Sequence, residues 1–365
     1  MKYDYLIVGA GFAGSVAAER LASQHNKKIL IVEKRNHIAG NAYDEFDEHG
    51  ILVHKYGPHI FHTNSKEVFE YLSKYTEWRK YEHKVLANLD GKLYPIPINR
   101  TTVNKLYNKS FTSDKEVSDF YESVREKRNP ILNSEDIIVN QVGTDLYEKF
   151  FKNYTKKQWE LDPNQLSPSV CGRIPIRTNT DDRYFTDKYQ FMPKDGYTKM
   201  FEKMLNHPNI EIMLNTDYKS IINDTKFDKM IYTGPIDYFF DYKFGKLPYR
   251  SIRFEWKNLK ATKLLKATSY NFVGQKEQYT RITEYKQMTG QISKTTSVSY
   301  EFPTFVGEEF YPIPNDENDL IYKKYKKESE KLKNILFVGR LSEYKYYNMD
   351  QVVGRVLQTT KKNMK

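Results

Sequence analysis

The opening stretch of the chain leaves little freedom in how it folds. Tyr3–Val8 is a short apolar run of β type that ends on Gly9-Ala10-Gly11-Phe12-Ala13-Gly14. Ala13, Val16, Ala17 and Leu21 then recur at helical spacing, and Lys28–Val32 is a second apolar run ending at Glu33. Strand, glycine-rich turn, helix and strand, closed by an acidic residue 19 positions after the last glycine, is the order of a dinucleotide-binding unit. Gly9 permits the tight turn, Gly11 lets the backbone approach a pyrophosphate, and Gly14 lets the helix pack on the strand. The free N–H groups at the helix start favour phosphate charge. Glu33 is placed to accept hydrogen bonds from a ribose.

Two later segments bear on which dinucleotide this is. Lys229–Thr233 leads to Gly234-Pro235, and Asn334–Val338 leads to Gly339-Arg340. Each reads as a short buried strand ending on glycine, which suits parallel strands whose carboxyl ends face a ligand. Either alone reads equally as ordinary core. Together with the N-terminal unit they resemble the FAD proteins whose last strand, near the C-terminus, returns to the flavin, and they favour FAD over a nicotinamide.

The fold class expected is therefore α/β, with a Rossmann-like FAD-binding domain assembled from residues 1–80, 190–245 and 330–365. Two insertions interrupt it. Lys66–Tyr81 and Asn99–Tyr154 read as helical and polar-faced, and the second of them gives a helical domain over 98–180. Ser251–Trp256, Ala267–Val273 and Thr295–Glu301 are short and partly alternating, as in an antiparallel sheet, giving a sheet domain over 81–97, 181–189 and 246–329.

Composition removes several classes. The 365 residues are 39% hydrophobic and 29% charged, ordinary for a globular enzyme. No apolar run reaches the roughly 18 residues of a membrane span. Asp4 and three glycines argue against a signal peptide over Tyr5–Ala18. The single cysteine, Cys171, permits no internal disulfide, which fits a cytoplasmic location. The net charge of +11 raises nucleic acid as a partner, but no nucleic-acid module shows in the pattern. Much of the excess lies in stretches such as Lys323–Lys333, where interspersed glutamates suggest a solvated helix face.

Leu161–Thr180 holds Pro163, Pro168, Gly172 and Pro175 and no sustained period. Irregular stretches of this length are uncommon outside lids and binding loops. It carries Arg173 and Arg177, so it reads either as a lid over a nucleotide or as a passive surface loop. His54, His59 and His62 raise a metal, but His59-x-x-His62 lacks a convincing third ligand, and no metal is expected.

Further segments stand out along the chain: Glu33-Lys34-Arg35 through Gly40-Asn41-Ala42-Tyr43, Tyr56-Gly57-Pro58-His59-Ile60-Phe61-His62-Thr63-Asn64, and Asn153-Tyr154 through Trp159. After them come Arg173-Ile174-Pro175-Ile176-Arg177, Tyr232-Thr233-Gly234-Pro235-Ile236-Asp237, Tyr279-Thr280-Arg281-Ile282-Thr283-Glu284, and Gly339-Arg340 through Met349-Asp350. Together they resemble one family, the bacterial UDP-galactopyranose mutases. These motifs span nearly the whole chain in the family's order. The sequence departs from many members at Asn348 (Asp), Ala39 (Gly) and His83 (Asn in some).

The resemblance implies an isomerase that interconverts UDP-galactopyranose and UDP-galactofuranose on reduced FAD without net redox change. In that mechanism flavin N5 attacks the anomeric carbon, the sugar ring opens and recloses, and UDP returns. It implies Arg173 and Arg281 as the arginines on the diphosphate and, with His62, as the groups nearest the chemistry. Phe150, Tyr154 and Trp159 would lie at the nucleobase and lid, and Tyr184, Phe185, Tyr311 and Tyr346 around the diphosphate and sugar. Asn271 and Arg250 resemble further polar positions near substrate or flavin. The cofactor set would be Gly9, Gly11, Phe12, Gly14, Glu33, Lys34, Arg35, Gly40, Asn41, His59, Ile60, Thr233, Gly234, Gly339, Arg340, Tyr346, Asn348, Met349 and Asp350. Asn348 and Gln351 would cap a helix whose positive end faces the flavin.

Family resemblance also implies a homodimer supplying galactofuranose for surface polysaccharide, and a reductant not identified by the sequence, such as NAD(P)H or a flavin reductase, would keep it reduced. Two alternatives stand beside this reading. One is a UDP-N-acetylgalactosamine mutase, and the other is a flavin oxidoreductase of the amine-oxidase type.

Overall fold

The structure is a computed structural model and describes residues 2–363. Five short parallel strands carry its nucleotide end. In sheet order they are Ile210–Met213, Ile29–Val32, Lys2–Val8, Lys226–Tyr232 and Ile335–Phe337. Val8 stands opposite both Val32 and Tyr232, Val32 opposite Met213, and Tyr232 opposite Phe337. Parallel strands covered on both faces need apolar runs, and all four residues of Ile29–Val32 are buried. With the strand ends level, the chain leaves one edge of the sheet at Gly9, Glu33, Thr233 and Val338. That carboxyl edge is where α/β sheets bind ligands.

The helix Phe12–His25 packs on the sheet through Val16, Ala17 and Leu21, all essentially without exposure. Burying such a valine or leucine is worth about 1.5–3 kcal/mol each. The C-terminal helix Met349–Asn363 lies alongside it and adds Val353 and Val356 to the same core. Gly9 has φ +101°, and a Cβ on Gly14 would stand 1.9 Å from the Gly9 carbonyl oxygen. The turn and the helix therefore touch backbone to backbone.

The second sheet has seven strands, ordered Tyr311–Pro312, Tyr249–Leu259, Thr296–Thr304, Arg281–Glu284, Ser269–Phe272, Val85–Leu89 and Lys92–Ile96. All pairs are antiparallel except one, because Ser269–Phe272 runs parallel to Val85–Leu89. Those two strands are about 180 residues apart in the chain, so no hairpin fixes their direction.

Between the hairpin 85–96 and the return of the chain lie the helices Arg100–Tyr107, Asp114–Val124, Ser134–Tyr147 and Asn153–Trp159. Asn99 with Thr102 and Ser113 with Glu116 form capping boxes that fix the first two starts. A π-helical turn over Glu148–Lys152 joins the last two helices. The core here is built by Val103, Val117, Ile138, Val142, Leu146, Phe150, Phe151 and Trp159. Leu166, Val170 and Cys171 belong to the same core, so the first half of the 161–180 stretch is anchored rather than free.

One expected helix is shorter than its periodicity suggests. The segment 66–81 is helical only over Lys66–Leu72, and Trp78–Lys80 forms a strand beside Tyr189–Pro193. Trp78 decides this locally: its ring stacks on Phe61 at 4.8 Å, and its indole N–H donates to the Ser73 hydroxyl at 2.8 Å. The backbone contact at Gly14 yields a direct test. Gly14→Ala is expected to destabilise the fold by about 1–3 kcal/mol, the usual cost of overpacking. A urea-unfolding midpoint equal to that of the parent chain would contradict this packing.

Candidate functional site

Two cavities meet at the carboxyl edge of the parallel sheet. The larger, about 410 Å³, is lined by Gly9, Gly11, Phe12, Glu33, Lys34, Arg35, Gly40 and Asn41 from the first unit. Thr233 and Gly234 close it from the fourth strand, and Gly339, Arg340 and Met349 from the C-terminal segment. Glu33 is nearly buried, and its carboxylate accepts from the backbone N–H of Ala10 and of Arg35, both at 2.9 Å. The acidic group is thereby fixed where a ribose would sit. Gly14 does not line the cavity; it serves the helix packing expected of it. A glycine-rich turn at a helix start, a fixed acid and two further strand ends fit a dinucleotide. Residues that would hold one are those of this lining.

The second cavity, about 220 Å³, lies between the seven-stranded sheet and the helices and shares His59, Arg340, Tyr347 and Met349 with the first. Phe150, Tyr154, Trp159, Arg173, Tyr184, Phe185, Asn271, Arg281, Tyr311 and Tyr346 line it, as do Ile60, His62 and Asn348. Most residues expected around a substrate are thus brought together from distant segments of the chain.

Arg281 is held by its neighbours on both sides in the sheet. Asn271 and Glu301 stand opposite it on the two flanking strands. Arg281 Nε donates to Asn271 Oδ1 at 3.2 Å, and Nη1 lies 3.5 Å from the carboxylate of Glu301, which is only 3% exposed. Nη2 donates to the Tyr154 hydroxyl at 3.2 Å. Burial pushes the Glu301 carboxyl pKa up, and the Arg281 guanidinium and Thr283 hydroxyl pull it back only in part. Opposite-charge pairs directly across strands are a recognised stabilising unit.

Arg173 stands at the end of the short helix Ser169–Gly172 and is open to the cleft, with its guanidinium 4.7 Å over the Tyr346 ring. Tyr346 stacks on Tyr311 at 5.4 Å, and Arg340 reaches both rings. Burial opposes ionisation of the Tyr346 phenol, but Arg173, Arg340 and Arg281 outweigh it and hold its pKa below the ordinary tyrosine value. Tyr311 is instead pushed up by burial and by Tyr346. Three guanidinium groups therefore give the cleft a field that favours anions.

The histidines divide by surroundings. His62 stacks on Phe185 at 3.6 Å, and its Nδ1 lies 2.9 Å from Asp187 Oδ2. His59 sits where the cavities join, with Nδ1 2.9 Å from the Gly57 carbonyl; burial holds its pKa down to about 3. His83, also at about 3 through burial, bonds the Tyr81 hydroxyl at 3.0 Å. Both rings are neutral near pH 7. Among the described residues no group of three or more His, Cys, Asp or Glu could hold a metal ion, and no helix is long and apolar enough to cross a membrane.

Some expected site residues lie elsewhere. Arg250 is not on the cleft wall: it has no exposure, and it donates to the Gln158 carbonyl at 2.9 Å and to Glu160 at 3.0 Å. Its position on the long strand faces it into the packing behind Trp159. Asp350 lines neither cavity and accepts from the Thr63 hydroxyl at 2.9 Å, which ties the last helix to the strand Phe61–Thr63. Ile60, Tyr346 and Asn348 line the second cavity and not the dinucleotide cavity. Of the expected helix cap, one bond forms, from the Asn348 N–H to the Gln351 side-chain oxygen at 2.9 Å. Arg177, second arginine of the irregular stretch, is buried and donates to the carbonyls of Asp181 and Arg183. Glu301 and Asp187 were not among the expected residues; both act through a neighbour across the sheet or loop, and no local pattern marks them.

Comparisons with known proteins bear on the family and the fold. The family model for UDP-galactopyranose mutase matches residues 149–346, and that for an NAD(P)-binding Rossmann-like domain matches residues 7–75. A dTDP-fucopyranose mutase of Escherichia coli is 37% identical over 364 residues, covering 97% of this chain and 96% of the relative. The chain belongs to the UDP-galactopyranose mutase family. A UDP-galactopyranose mutase of Mycoplasma genitalium is 38% identical over 377 residues, covering 96% and 92%. The crystal structure of a reduced UDP-galactopyranose mutase superposes with a TM-score of 0.79 at 18% identity, covering 98% of this chain and 94% of that one, and shows the shared fold.

The field at Tyr346 is measurable. The difference in absorbance titration at 295 nm between the parent and Tyr346→Phe is expected to show one phenol ionising below the ordinary value of about 10. Arg173→Ala removes a cation that stabilises the phenolate and should move that step upward. A step at or above about pH 10 in the parent would contradict the arrangement.

Proposed function

We propose that this family member is a mutase that interconverts the pyranose and furanose forms of UDP-galactose with FAD as cofactor. The observation that carries the reading is the pair Arg173 and Arg281, set among Tyr154, Tyr184, Tyr311 and Tyr346 in a cleft that opens onto the dinucleotide cavity at His59.

A ring-contracting mutase must hold a diphosphate that leaves the sugar and returns to it. Guanidinium groups suit this because they stay charged and present paired donors to phosphate oxygens. Arg281 is kept in place by Asn271 and Glu301, while Arg173 comes from the irregular stretch after the helices. The phenols add hydroxyl donors beside aromatic area for the nucleotide. Phe150 and Trp159, both nearly buried, give the cleft an apolar floor toward the nucleobase. A reduced flavin, when bound, supplies the nucleophile for the anomeric carbon and is recovered unchanged. Neutral His59 and the Asp187-held His62 would orient the sugar at the junction of the two cavities. The first turn of the helix Met349–Asn363, with Met349 on the dinucleotide cavity, would favour negative charge on the reduced cofactor.

The E. coli relative that is a dTDP-fucopyranose mutase favours a second reading, in which the same ring contraction acts on a deoxythymidine-linked 6-deoxy sugar. UDP-N-acetylgalactosamine remains a further substrate of the same class. Family membership leaves the amine-oxidase reading without support. The proposal extends to a homodimer, as family resemblance implies, working in the cytoplasm with a reductant such as NAD(P)H or a flavin reductase.

The test is chromatography of UDP-galactofuranose after incubation with FAD-loaded, dithionite-reduced protein. Conversion to UDP-galactopyranose is expected only in the reduced sample. Arg173→Ala and Arg281→Ala should each lower kcat/KM roughly ten- to a hundredfold, the loss of a charge-assisted contact. Turnover of dTDP-fucopyranose with none of UDP-galactose would transfer the assignment to the second reading.

A further inference from the structure

The loop between the strands Thr296–Thr304 and Tyr311–Pro312 crosses from the seven-stranded sheet to the mouth of the dinucleotide cavity. Glu308 pairs with Arg35, and Glu309 lies 3.6 Å from Lys34. Lys34, Arg35 and Glu309 all line that cavity, directly after Glu33, the residue fixed at the ribose position. The Arg35 guanidinium is further held by Asn41 Oδ1 at 2.8 Å and by the Tyr56 ring at 4.1 Å.

The loop is gripped at its base as well. Phe305 lies over the buried Arg250 guanidinium at 4.1 Å, and the Phe310 N–H donates to the Arg250 carbonyl at 3.0 Å. Phe305 is half exposed and Val306 almost fully, whereas Phe310 at the end of the loop is buried, so apolar burial fixes that end and not the residues before it. Those are held by two ion pairs and by the stack of Phe305 on a cation. Both ion pairs tie the sheet to the segment around the dinucleotide.

We propose that Glu308 and Glu309 are positioning residues that hold Arg35 and Lys34 across the adenosine-side mouth of the cavity and thereby set how fast the bound dinucleotide leaves. The proposal rests on the FAD reading given above. Departure of the adenosine end requires the loop to lift, which separates both ion pairs. Partly exposed pairs are individually weak, so the effect expected is about three- to tenfold on release and not an absolute block. Such pairs are also screened: the Debye length falls from about 10 Å at 0.1 M salt to about 3 Å at 1 M.

The experiment uses flavin-loaded full-length protein, diluted so that released FAD is followed by its fluorescence. Glu308→Gln/Glu309→Gln is expected to release FAD about three- to tenfold faster than the parent at low salt. Raising the salt to about 1 M should speed release from the parent and leave the double variant almost unaffected. Phe305→Ala loosens the base without touching the charges, so it should release faster while keeping the salt response. Equal release rates for parent and double variant, or the same salt acceleration in both, would overturn the proposal. Protein that takes up no FAD at all would instead bring down the cofactor reading, and the role of the loop with it.

Discussion

Flush pairing of parallel strands is the constraint on which the rest of this molecule depends. Val8, Val32 and Tyr232 lie side by side, so the loops that follow them converge on one edge. Each strand is too short to be stable alone and persists because both faces are covered by helices and side chains. Since parallel strands cannot be joined by hairpins, every return to the sheet requires a long excursion. The longest of these excursions, from Val32 to Ile210 and from Tyr232 to Ile335, contain the helices and the second sheet. The cleft beside the cofactor cavity is therefore a by-product of how the central sheet must be connected.

Within that cleft, a partly exposed charge is held in one direction by its neighbours in the ladder. Arg281 could not occupy an inward sheet position without the carboxylate of Glu301 and the amide of Asn271 on either side. Burying unpaired charge is costly, whereas a paired and hydrogen-bonded one is tolerated. The consequence is a guanidinium whose direction is set by backbone register. Arg173 is the complement: it stands on a short irregular segment and owes its position to ring faces. One cation is mounted in the sheet ladder, and the other at the end of a short helix.

The legibility of this arrangement in the sequence follows how local each signal is. The first dinucleotide unit could be read because all its parts lie within Tyr3–Glu33 and each has a residue-type requirement. The strands ending at Thr233 and Gly339 could be read as candidates, and the family motifs joined them to the first. The trio Asn271, Arg281 and Glu301 could not be assembled from pattern, because it depends on the register of three strands. Arg250 was expected there by resemblance alone, and its full burial against Gln158 and Glu160 takes it off the cleft wall, which no local pattern in the strand Tyr249–Leu259 signals. Trp78 was lost to a helical period that its stacking on Phe61 overrides.

The order of the chain also fixes when the cofactor cavity can exist. Its walls include Gly339, Arg340, Met349 and Val352, and the strand Ile335–Phe337 that precedes them is the last of the sheet's strands along the chain. A ribosome that has released the chain as far as Thr304 has made the glycine-rich turn, Glu33 and most of the substrate cleft, yet one side of the dinucleotide cavity is still missing. A dinucleotide could therefore be enclosed only once the C-terminal segment has been made, and the same segment brings Val353 and Val356, which cover the face of the sheet beside the helix Phe12–His25.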